Sequence, residues 1–180
     1  MTDVEDVKYE IQNIVLSVTY KDTELDLEKL AGLLEGARYD PEVFPGIAYQ
    51  SFEPTASFLI FASGKMNCVG AKSMEDAKNA IEKLTKKLKD SDIDIDDNPE
   101  VKVQNMVASF DFGRDFDLEM IARNFRNTEY EPEVFPGLVF RLDDPKAVIL
   151  LFVSGKGVCA GAKSEEDIQR AAEKITEVIE

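Results

Sequence analysis

The chain repeats itself along nearly its whole length, and this repeat constrains the fold more than any other feature. Residues 39–46 read YDPEVFPG and residues 130–137 read YEPEVFPG. Residues 63–73 and 154–164 share the pattern SGK-x-x-C-x-GAKS. Both pairs of motifs lie 91 residues apart, and 19 of the 35 positions that they span are identical. Solenoid repeats run roughly 20–50 residues, so this longer period predicts two copies of one subdomain with pseudo-twofold symmetry.

The match extends upstream of these motifs. QNIVLSV at residues 12–18 corresponds to QNMVASF at residues 104–110 after a one-residue shift. The segment between the copies, DSDIDIDDNPE at residues 90–100, is acidic and contains a proline, which is typical of a short solvated linker. We therefore expect a first repeat over residues 1–91, and an acidic linker followed by the second repeat over residues 92–180.

The composition of the chain limits the ligands and the location that it can have. The formal net charge is −15, of which residues 1–91 contribute −5 and residues 92–180 contribute −10. Because DNA affinity usually rests on Lys and Arg, this balance argues against a nucleic-acid ligand unless the basic residues are gathered on one face. Adaptation to a cytoplasm of high salt is an alternative interpretation of the acidity. No apolar run approaches the roughly 20 residues of a membrane span, and the N-terminal MTDVEDVKYE lacks an apolar signal core, so we expect a cytoplasmic protein without membrane contacts.

Each repeat has the same order of secondary-structure signals. A strand is followed by a short helix, a tight VFPG turn at Gly46 and Gly137, two strands broken at a proline, a third short strand and a long amphipathic helix. The long helices are expected over about residues 74–88 and 165–179, with Ser73 and Ser164 as N-caps. Strands joined by turns are antiparallel, and the helices of each repeat must cover one sheet face. The predicted fold class is therefore α+β.

The sheet face that the helices leave uncovered is apolar in both repeats. Side chains alternate between the two faces of a strand. In the first repeat the uncovered face is expected to carry Asn13, Val15, Ser17, Ser57, Leu59, Phe61 and Ser63. In the second it is expected to carry Asn105, Val107, Ser109, Val148, Leu150, Phe152 and Ser154. The same alternation assigns Ala62 and Val153 to the helix-covered face.

Two interpretations of this apolar face stay open from the residues alone. The face is either buried inside the fold, against the other repeat for example, or exposed as a binding surface. Asn13 and Asn105 favour the second interpretation, because amides are costly in a sealed apolar core. The expected rim is basic, with Lys65, Lys72, Lys156, Lys163 and Arg141. An apolar centre, central amides and a basic rim suit a nucleic-acid groove.

The paired motifs together resemble the TATA-box-binding protein family in its archaeal form. The likeness rests on QN-(I/M)-V, Y-(D/E)-PEVFPG, F-x-SGK and GAKS, each present twice, and covers the chain from about Gln12 onwards. The resemblance implies a saddle, in which one curved antiparallel sheet carries four main helices on its convex side. It also implies a general transcription initiation factor that binds the minor groove of TATA-box DNA and kinks it, and this family is itself a standard example of such kinking.

The resemblance implies a role for each matching residue. The bases would be wedged apart at the two ends of the site by Phe44, Phe61, Phe135 and Phe152. Near the pseudo-dyad, Asn13 and Asn105 would donate to the acceptors that A·T and T·A pairs share. The groove floor would be met by Val15, Leu59, Val107, Leu150 and Val158, and Val69 is a further position expected to contact DNA. Phosphates would be held by Ser63, Lys65, Lys72, Arg141, Ser154, Lys156 and Lys163.

The family resemblance also implies protein partners. Transcription factor B would bind the loop that bears Glu131, Glu133 and Val134, and RNA polymerase would join the resulting pre-initiation complex. The protein itself would be associated with the nucleoid. In the absence of DNA, a second copy of the chain is the expected partner, bound through the apolar face. The chain departs from the family pattern at Asn67, Val69, Ala160 and Gln50, where an apolar residue, two threonines and an arginine are usual.

Enzymatic chemistry is not expected. The chain has no histidine, which excludes Ser-His and Cys-His catalysis and histidine metal sites, and we expect neither a cofactor nor a metal. Cys68 and Cys159 occupy equivalent strand positions and are interpreted as buried free thiols. Two further functions would also use an apolar sheet face. One is a protein-binding scaffold, and the other is a single-stranded RNA binder that stacks bases on Phe61 and Phe152.

Overall fold

The computed structural model describes residues 2–4 and 7–179, with residues 2–4 described by their backbone alone. Met1, Glu5 and Asp6 of the acidic N-terminus, and Glu180, lie outside the described residues. The chain divides into two compact units. The first unit is Asn13–Gln104, and the second unit combines Met1–Gln12 with Asn105–Glu180.

The first unit contains a four-stranded antiparallel sheet and two helices. Its elements in chain order are the later part of β2 (Val7–Thr19), α1 (Leu27–Leu33), β3 (Ile47–Ser51), β4 (Ala56–Ile60), β5 (Lys65–Ala71) and α2 (Met74–Asp90). The strands are ordered β3-β4-β5-β2.

The second unit has the same plan. Its elements are β1 (Thr2–Val4), the first part of β2, most of β6 (Glu100–Asp111), α3 (Leu118–Asn124), β7 (Thr128–Glu129), β8 (Leu138–Asp143), β9 (Lys146–Leu151), β10 (Lys156–Ala162) and α4 (Glu165–Ile179). The strands are ordered β6-β10-β9-β8-β7, all antiparallel, and β1 pairs with β2. The α+β class with antiparallel strands is therefore confirmed.

The long helices begin where the sequence predicts, because a serine caps each of them. The Ser73 hydroxyl accepts from the Asp76 N–H at 3.0 Å, and the Ser164 hydroxyl accepts from the Asp167 N–H at 3.1 Å. One apolar stripe of each helix is buried. The stripe of α2 includes Ala77, Ile81, Leu84 and Leu88, and that of α4 is Ile168, Ala171, Ala172 and Ile175. Helix α2 contacts β5, and α4 contacts β9 and β10.

The core of each unit lies between its helices and one sheet face. In the first unit this face buries Ile14, Leu16, Val18, Phe58 and Ile60 completely or almost completely. The second unit buries Met106, Ala108, Phe110, Ile149 and Leu151 in the same way. The residues that alternate with them in sequence are half-buried, so each sheet has a second face without helices. We call this second face the open face of the unit.

The alternation prediction is wrong at two positions. Ala62 is exposed and Val153 is 55% exposed, although both were assigned to the helix-covered face. Strands β4 and β9 end at Ile60 and Leu151, and the following residues belong to turns. Two-residue periodicity applies only within a strand, so it cannot be carried into these turns.

The linker is more ordered than a solvated segment. Ile95 is 5% exposed, and Lys89 forms an ion pair with Asp97 across the turn that ends α2. The compact units also differ from the sequence repeats at the N-terminus, because the Tyr9 hydroxyl donates to Glu165 at 2.6 Å and accepts from Gln169 at 3.0 Å. These bonds join the first part of β2 to α4, the long helix of the second repeat.

Candidate nucleic-acid interface

The open face of the first unit carries the residues that the sequence assigns to it. Asn13, Val15, Leu59 and Val69 are all half-buried, lying on adjacent antiparallel strands. Leu59 stands directly opposite Asn67, which is also half-buried on this face. The result is a surface of apolar side chains with amides among them and no helix over it.

The open face of the second unit repeats this arrangement. Asn105, Val107, Leu150 and Val158 are half-buried, and Val158 stands opposite Leu150. Val148 lies on the same face and pairs with Arg141 of β8. The surface is therefore continuous across four strands of the second unit.

The two asparagines are held by glycine bulges. The pairing of β2 with β5 shifts register between Ile14 and Leu16 of β2. The extra residue lies on β5 and is Gly70, whose φ is +91°. Such a positive φ is accessible to glycine at little cost, which accounts for the glycine of the GAKS motif. The Gly70 N–H donates to the Asn13 Oδ1 at 2.7 Å. In the second unit the Gly161 N–H donates to the Asn105 Oδ1 at 2.6 Å, again with φ +91°.

This bond determines what each amide can offer to a ligand. A backbone N–H can only donate, so the bonded side-chain atom must be the amide oxygen, and the orientation of the amide follows from chemistry. The remaining NH₂ group of Asn13 or Asn105 has no acceptor among the residues that the structure describes. Each unit therefore presents a fixed hydrogen-bond donor on a largely apolar surface.

Phenylalanines form a pair in each unit. The ring centroids of Phe44 and Phe61 are 5.8 Å apart with planes at 60°, and those of Phe135 and Phe152 are 6.0 Å apart at 65°. Phe44 and Phe135 are 40% and 39% exposed. Aromatic rings at this separation and tilt attract one another, so each pair is a preformed apolar block in contact with solvent.

The glycine after each FP supports this block by its lack of a side chain. A Cβ on Gly137 would lie 2.7 Å from the Phe135 ring and 2.9 Å from the Phe152 ring. A Cβ on Gly46 would lie 2.9 Å from Phe61 and 3.0 Å from Phe44. Neither glycine has a positive φ. The chain bends at both glycines, as predicted, but the bend uses no positive φ, and steric clearance for the two rings accounts for a glycine at each position.

The serines of the SGK motifs lie in hairpin turns, and each lysine is the first residue of the strand that follows. The Phe61 N–H donates to the Lys65 carbonyl at 3.0 Å, and the Phe152 N–H donates to the Lys156 carbonyl at 3.0 Å. Ser63 and Ser154 lie within these turns and are exposed. Each turn therefore places a hydroxyl and an ammonium next to a phenylalanine of the block.

The other basic residues differ in their surroundings. Lys72 and Lys163 are exposed directly after β5 and β10. The Arg141 guanidinium lies 3.7 Å from the Glu129 carboxylate. Lys146 was missed by the sequence reasoning, although it lines a cleft of about 640 Å³ together with Arg141, Val148 and Lys163. Lys146 directly follows Asp144-Pro145, and in the structure it is opposite Asp143 in the hairpin. Its place after the proline that breaks the two strands is the sequence signal that could have revealed it.

The loop of the second unit that is proposed for a protein partner is exposed. Glu131, Glu133 and Val134 are exposed, with Val134 at 79%. The Glu131 carbonyl accepts from the N–H groups of Val134 and Phe135, both at 2.9 Å, which folds the loop into a compact turn. A valine this exposed, directly after two carboxylates in the sequence, offers an apolar side chain to solvent.

The cysteines are buried thiols outside this surface. Cys68 and Cys159 are free, and burial raises the pKa of Cys68 to about 11 and that of Cys159 to about 12. Within the part of the chain that the structure describes, no cluster of side chains could hold a metal ion, and no helix is long and apolar enough to cross a membrane.

Comparison with known proteins gives one consistent result. The family model described as transcription factor TFIID, or TATA-binding protein (TBP), matches residues 8–91 and 100–180. The chain is 54% identical to the TATA-box-binding protein of Methanocaldococcus jannaschii over 94% of this chain and 92% of that protein. The corresponding protein of Picrophilus torridus is 49% identical over 97% of this chain and 95% of its own length.

A solved structure agrees with the sequence matches. The structure of Methanococcus jannaschii TBP aligns with a TM-score of 0.88 at 52% identity, covering 96% of this chain and 98% of that chain. The family is one of transcription factors and not of enzymes. With two family matches that together span both repeats and a fold shared almost end to end, the chain belongs to the TATA-binding protein family.

Proposed function

We propose that this protein is a general transcription initiation factor that binds the minor groove of TATA-box promoter DNA and kinks it by inserting phenylalanines. Membership of the TATA-binding protein family supports DNA binding and transcription initiation as the broad function. The observation that carries the finer proposal is the matched pair of open faces, each with one fixed amide donor and one phenylalanine block.

The apolar open faces account for a preference for A·T pairs. The floor of the minor groove presents only acceptors at A·T and T·A pairs, whereas guanine adds an exocyclic amine. Val15, Leu59, Val107 and Leu150 offer no acceptor to that amine, so its burial against them leaves an unsatisfied donor. The amide NH₂ groups of the bulge-held asparagines match the acceptors instead.

The phenylalanine blocks are suited to opening a base step. A wedge must replace base stacking with apolar contact, and unstacking costs a few kcal/mol per step. Phe has no polar atom to satisfy, and the paired rings are already packed before DNA arrives, so little side-chain entropy is lost on insertion. Flexible pyrimidine–purine steps such as TA are the least costly to kink.

Phosphates are held by the basic residues around the open faces. The net charge of −15 repels DNA as a whole, so binding depends on Lys65, Lys72, Lys156 and Lys163 acting locally near the phosphates. These lysines are exposed and follow strands or turns of the open faces.

Recruitment of transcription factor B is assigned to the loop of Glu131, Glu133 and Val134. Two exposed carboxylates precede an exposed apolar side chain in this loop, which matches a partner that combines basic groups with an apolar pocket. RNA polymerase would then be recruited to the assembled complex. In the absence of DNA, self-association would cover the open faces.

A gel shift across salt concentrations tests the proposal. A duplex containing a TATA box is compared with the same duplex in which the TATA box is replaced by G·C pairs. We expect the TATA duplex to bind at least tenfold more tightly at every salt concentration, because each mismatched pair costs about 1–3 kcal/mol. Equal binding to both duplexes would contradict the proposal, and tighter binding to single-stranded RNA would favour the base-stacking alternative.

A further inference from the structure

Arg38 lies on the open face of the first unit, although it is not among the residues that the sequence assigns to DNA binding. It forms an isolated antiparallel bridge with Ala48, in which the Arg38 N–H donates to the Ala48 carbonyl at 2.8 Å and the Ala48 N–H donates to the Arg38 carbonyl at 2.9 Å. Residues directly opposite in an antiparallel pair point to the same face. Ala48 is in turn opposite Leu59, which belongs to the open face. Arg38 therefore projects from this face at the outer edge of the sheet.

The surroundings of Arg38 leave its charge available. The residue is exposed and borders a cleft of about 430 Å³ together with Gln50, Leu59 and Val69. Its guanidinium forms no ion pair with any of the residues that the structure describes. Because an arginine carries up to five N–H donors, an anion near this edge could be bound bidentately.

The second unit has a different arrangement at the equivalent positions. The 91-residue period relates Arg38 to Glu129, and Gln50 to Arg141. Glu129 is opposite Val139, and its carboxylate lies 3.7 Å from the Arg141 guanidinium. The first unit thus has a cation at the bridge position and a neutral residue on β3, whereas the second unit has an acid and a base that offset one another.

We propose that Arg38 is a phosphate-binding residue of the first unit, which supplies the cation that Gln50 does not. This inference rests on the proposed function, because it assumes that DNA lies on the open faces. Arg38 binds without giving up a protein partner, whereas Arg141 must share its charge between Glu129 and a phosphate. The outer edge of the first unit therefore holds DNA more strongly than that of the second.

The test is the salt dependence of binding to the TATA and G·C duplexes, measured for wild-type protein, Arg38→Gln, Glu129→Gln and Lys78→Gln. Each neutralised phosphate contributes about −0.9 to the slope of log K against log salt. We expect Arg38→Gln to reduce the magnitude of the slope by about 0.9 and to weaken both duplexes by the same factor, since a phosphate carries no base identity. Glu129→Gln should increase the magnitude by up to the same amount.

Lys78→Gln is the matched control, because it removes one positive charge from an exposed position on α2. Its slope should equal that of the wild type. An equal drop in Lys78→Gln would mean that net charge alone is responsible, and this would overturn the role of Arg38. So would an unchanged slope in Arg38→Gln, or a loss of TATA preference in that variant, which would indicate base reading.

These results separate the two proposals. If wild-type protein prefers the TATA duplex while Arg38→Gln has the wild-type slope, the proposed function stands and the role of Arg38 is wrong. If wild-type protein binds both duplexes equally and Arg38→Gln still lowers the slope, the TATA preference is wrong and the phosphate contact stands. Absence of DNA binding by the wild type overturns both.

Discussion

The two units share their bulge-held asparagines and phenylalanine blocks, and they differ at the outer edges of their open faces. Asn13 and Asn105 both accept from a bulge glycine, and both phenylalanine pairs stand over a glycine without a Cβ. At the edges, Arg38 and Gln50 of the first unit correspond to Glu129 and Arg141 of the second. The shared asparagines and phenylalanines suit a pseudo-symmetric duplex. The differing edge residues are where the two units can bind the two halves of a promoter with different strength.

The two units also differ in the hydrogen bonds at the outer edges of their sheets. In the second unit the Arg141 N–H donates to the Asn127 carbonyl at 2.9 Å, and the Asn127 side chain donates back to the Arg141 carbonyl at 2.5 Å. The equivalent of Asn127 in the first unit is Gly36, which has no side chain and a φ of +80°. The edge of the second unit is thus pinned by a side chain at a position where the first unit has none.

The largest effect is expected from changing both central amides. Asp in place of Asn13 and Asn105 still accepts from the bulge glycine, but presents an oxygen where the NH₂ group stood. Because acceptor would then face acceptor in the minor groove, each substitution should cost about 1–3 kcal/mol of binding, or roughly 5- to 150-fold in affinity. Gel shifts of Asn13→Asp, Asn105→Asp and the double variant measure this effect.

The single variants also test how closely the two units correspond. Equal losses would mean that the two amides act alike, and unequal losses would show that one half of the site dominates. Asn124→Asp on α3 is the control, because it adds the same charge to an exposed helix position. A loss in this control as large as in Asn105→Asp would contradict the role of the amide.

A smaller effect is expected in a buried polar pair that only the first unit contains. The Thr85 hydroxyl donates to the Ile81 carbonyl at 2.8 Å, so the Tyr20 hydroxyl, 2.5 Å from the Thr85 oxygen, must be the donor between them. Burial is the main cause of the raised pKa of Tyr20. In the second unit the matching residue is Phe112.

Thr85→Val should therefore lower the free energy of unfolding by about 1–3 kcal/mol, because the Tyr20 hydroxyl loses its acceptor inside the core. Tyr20→Phe, which copies the second unit, is the matched control and should cost less. The comparison is made by chemical denaturation monitored by circular dichroism. A larger loss in Tyr20→Phe than in Thr85→Val would contradict this account of the pair.

The smallest effect concerns an exposed ion pair that only the second unit contains. The Arg170 guanidinium lies 2.7 Å from the Asp144 carboxylate, and its hydrogen bond and charge lower the pKa of Asp144. A carboxyl group whose pKa is lowered by folding stabilises the fold above its unfolded pKa, and this contribution is lost as the pH falls through the folded pKa. The first unit has Glu53 and Asn79 at the matching positions.

Arg170→Gln should therefore lower the melting temperature slightly at neutral pH and leave it unchanged at a pH below the folded pKa of Asp144. Exposed ion pairs contribute little to stability because solvent screens them, so a precise calorimetric comparison is needed. Asp144→Asn should give the same pattern. A difference between wild type and Arg170→Gln that grows as the pH falls would have the wrong sign for this pair.

Much of the fold follows from local signals in the sequence. The bounds of α4 agree with the prediction at both ends, because Ser164 caps the helix and the apolar stripe continues to its last turn. The two faces of β2 and β6 could be assigned because side-chain alternation holds inside a regular strand. The resemblance to the TATA-binding family, which rests on motifs present twice, is confirmed by the family matches.

Other features depend on contacts that no local pattern encodes. Ile95 lies in an acidic stretch whose composition predicts exposure to solvent, yet it is buried. A single apolar side chain in an acidic segment can be buried, and composition alone does not predict this. The clearance that Gly46 and Gly137 give to the phenylalanine rings is a contact in three dimensions, which the VFPG pattern does not distinguish from a turn. Arg38 was missed because its face is set by an isolated bridge instead of a strand.

The claim that the phenylalanine blocks kink TATA DNA is tested most directly by measuring the bend. A TATA duplex with a fluorophore at each end reports its end-to-end distance by resonance energy transfer, at protein concentrations that saturate each variant. Wild-type protein should increase the transfer efficiency, and Phe61→Ala and Phe152→Ala should each reduce the increase, with affinity losses of about 1–3 kcal/mol per lost stacking contact. Wild-type transfer efficiency in both saturated variants, or no increase with the wild type, would contradict the account.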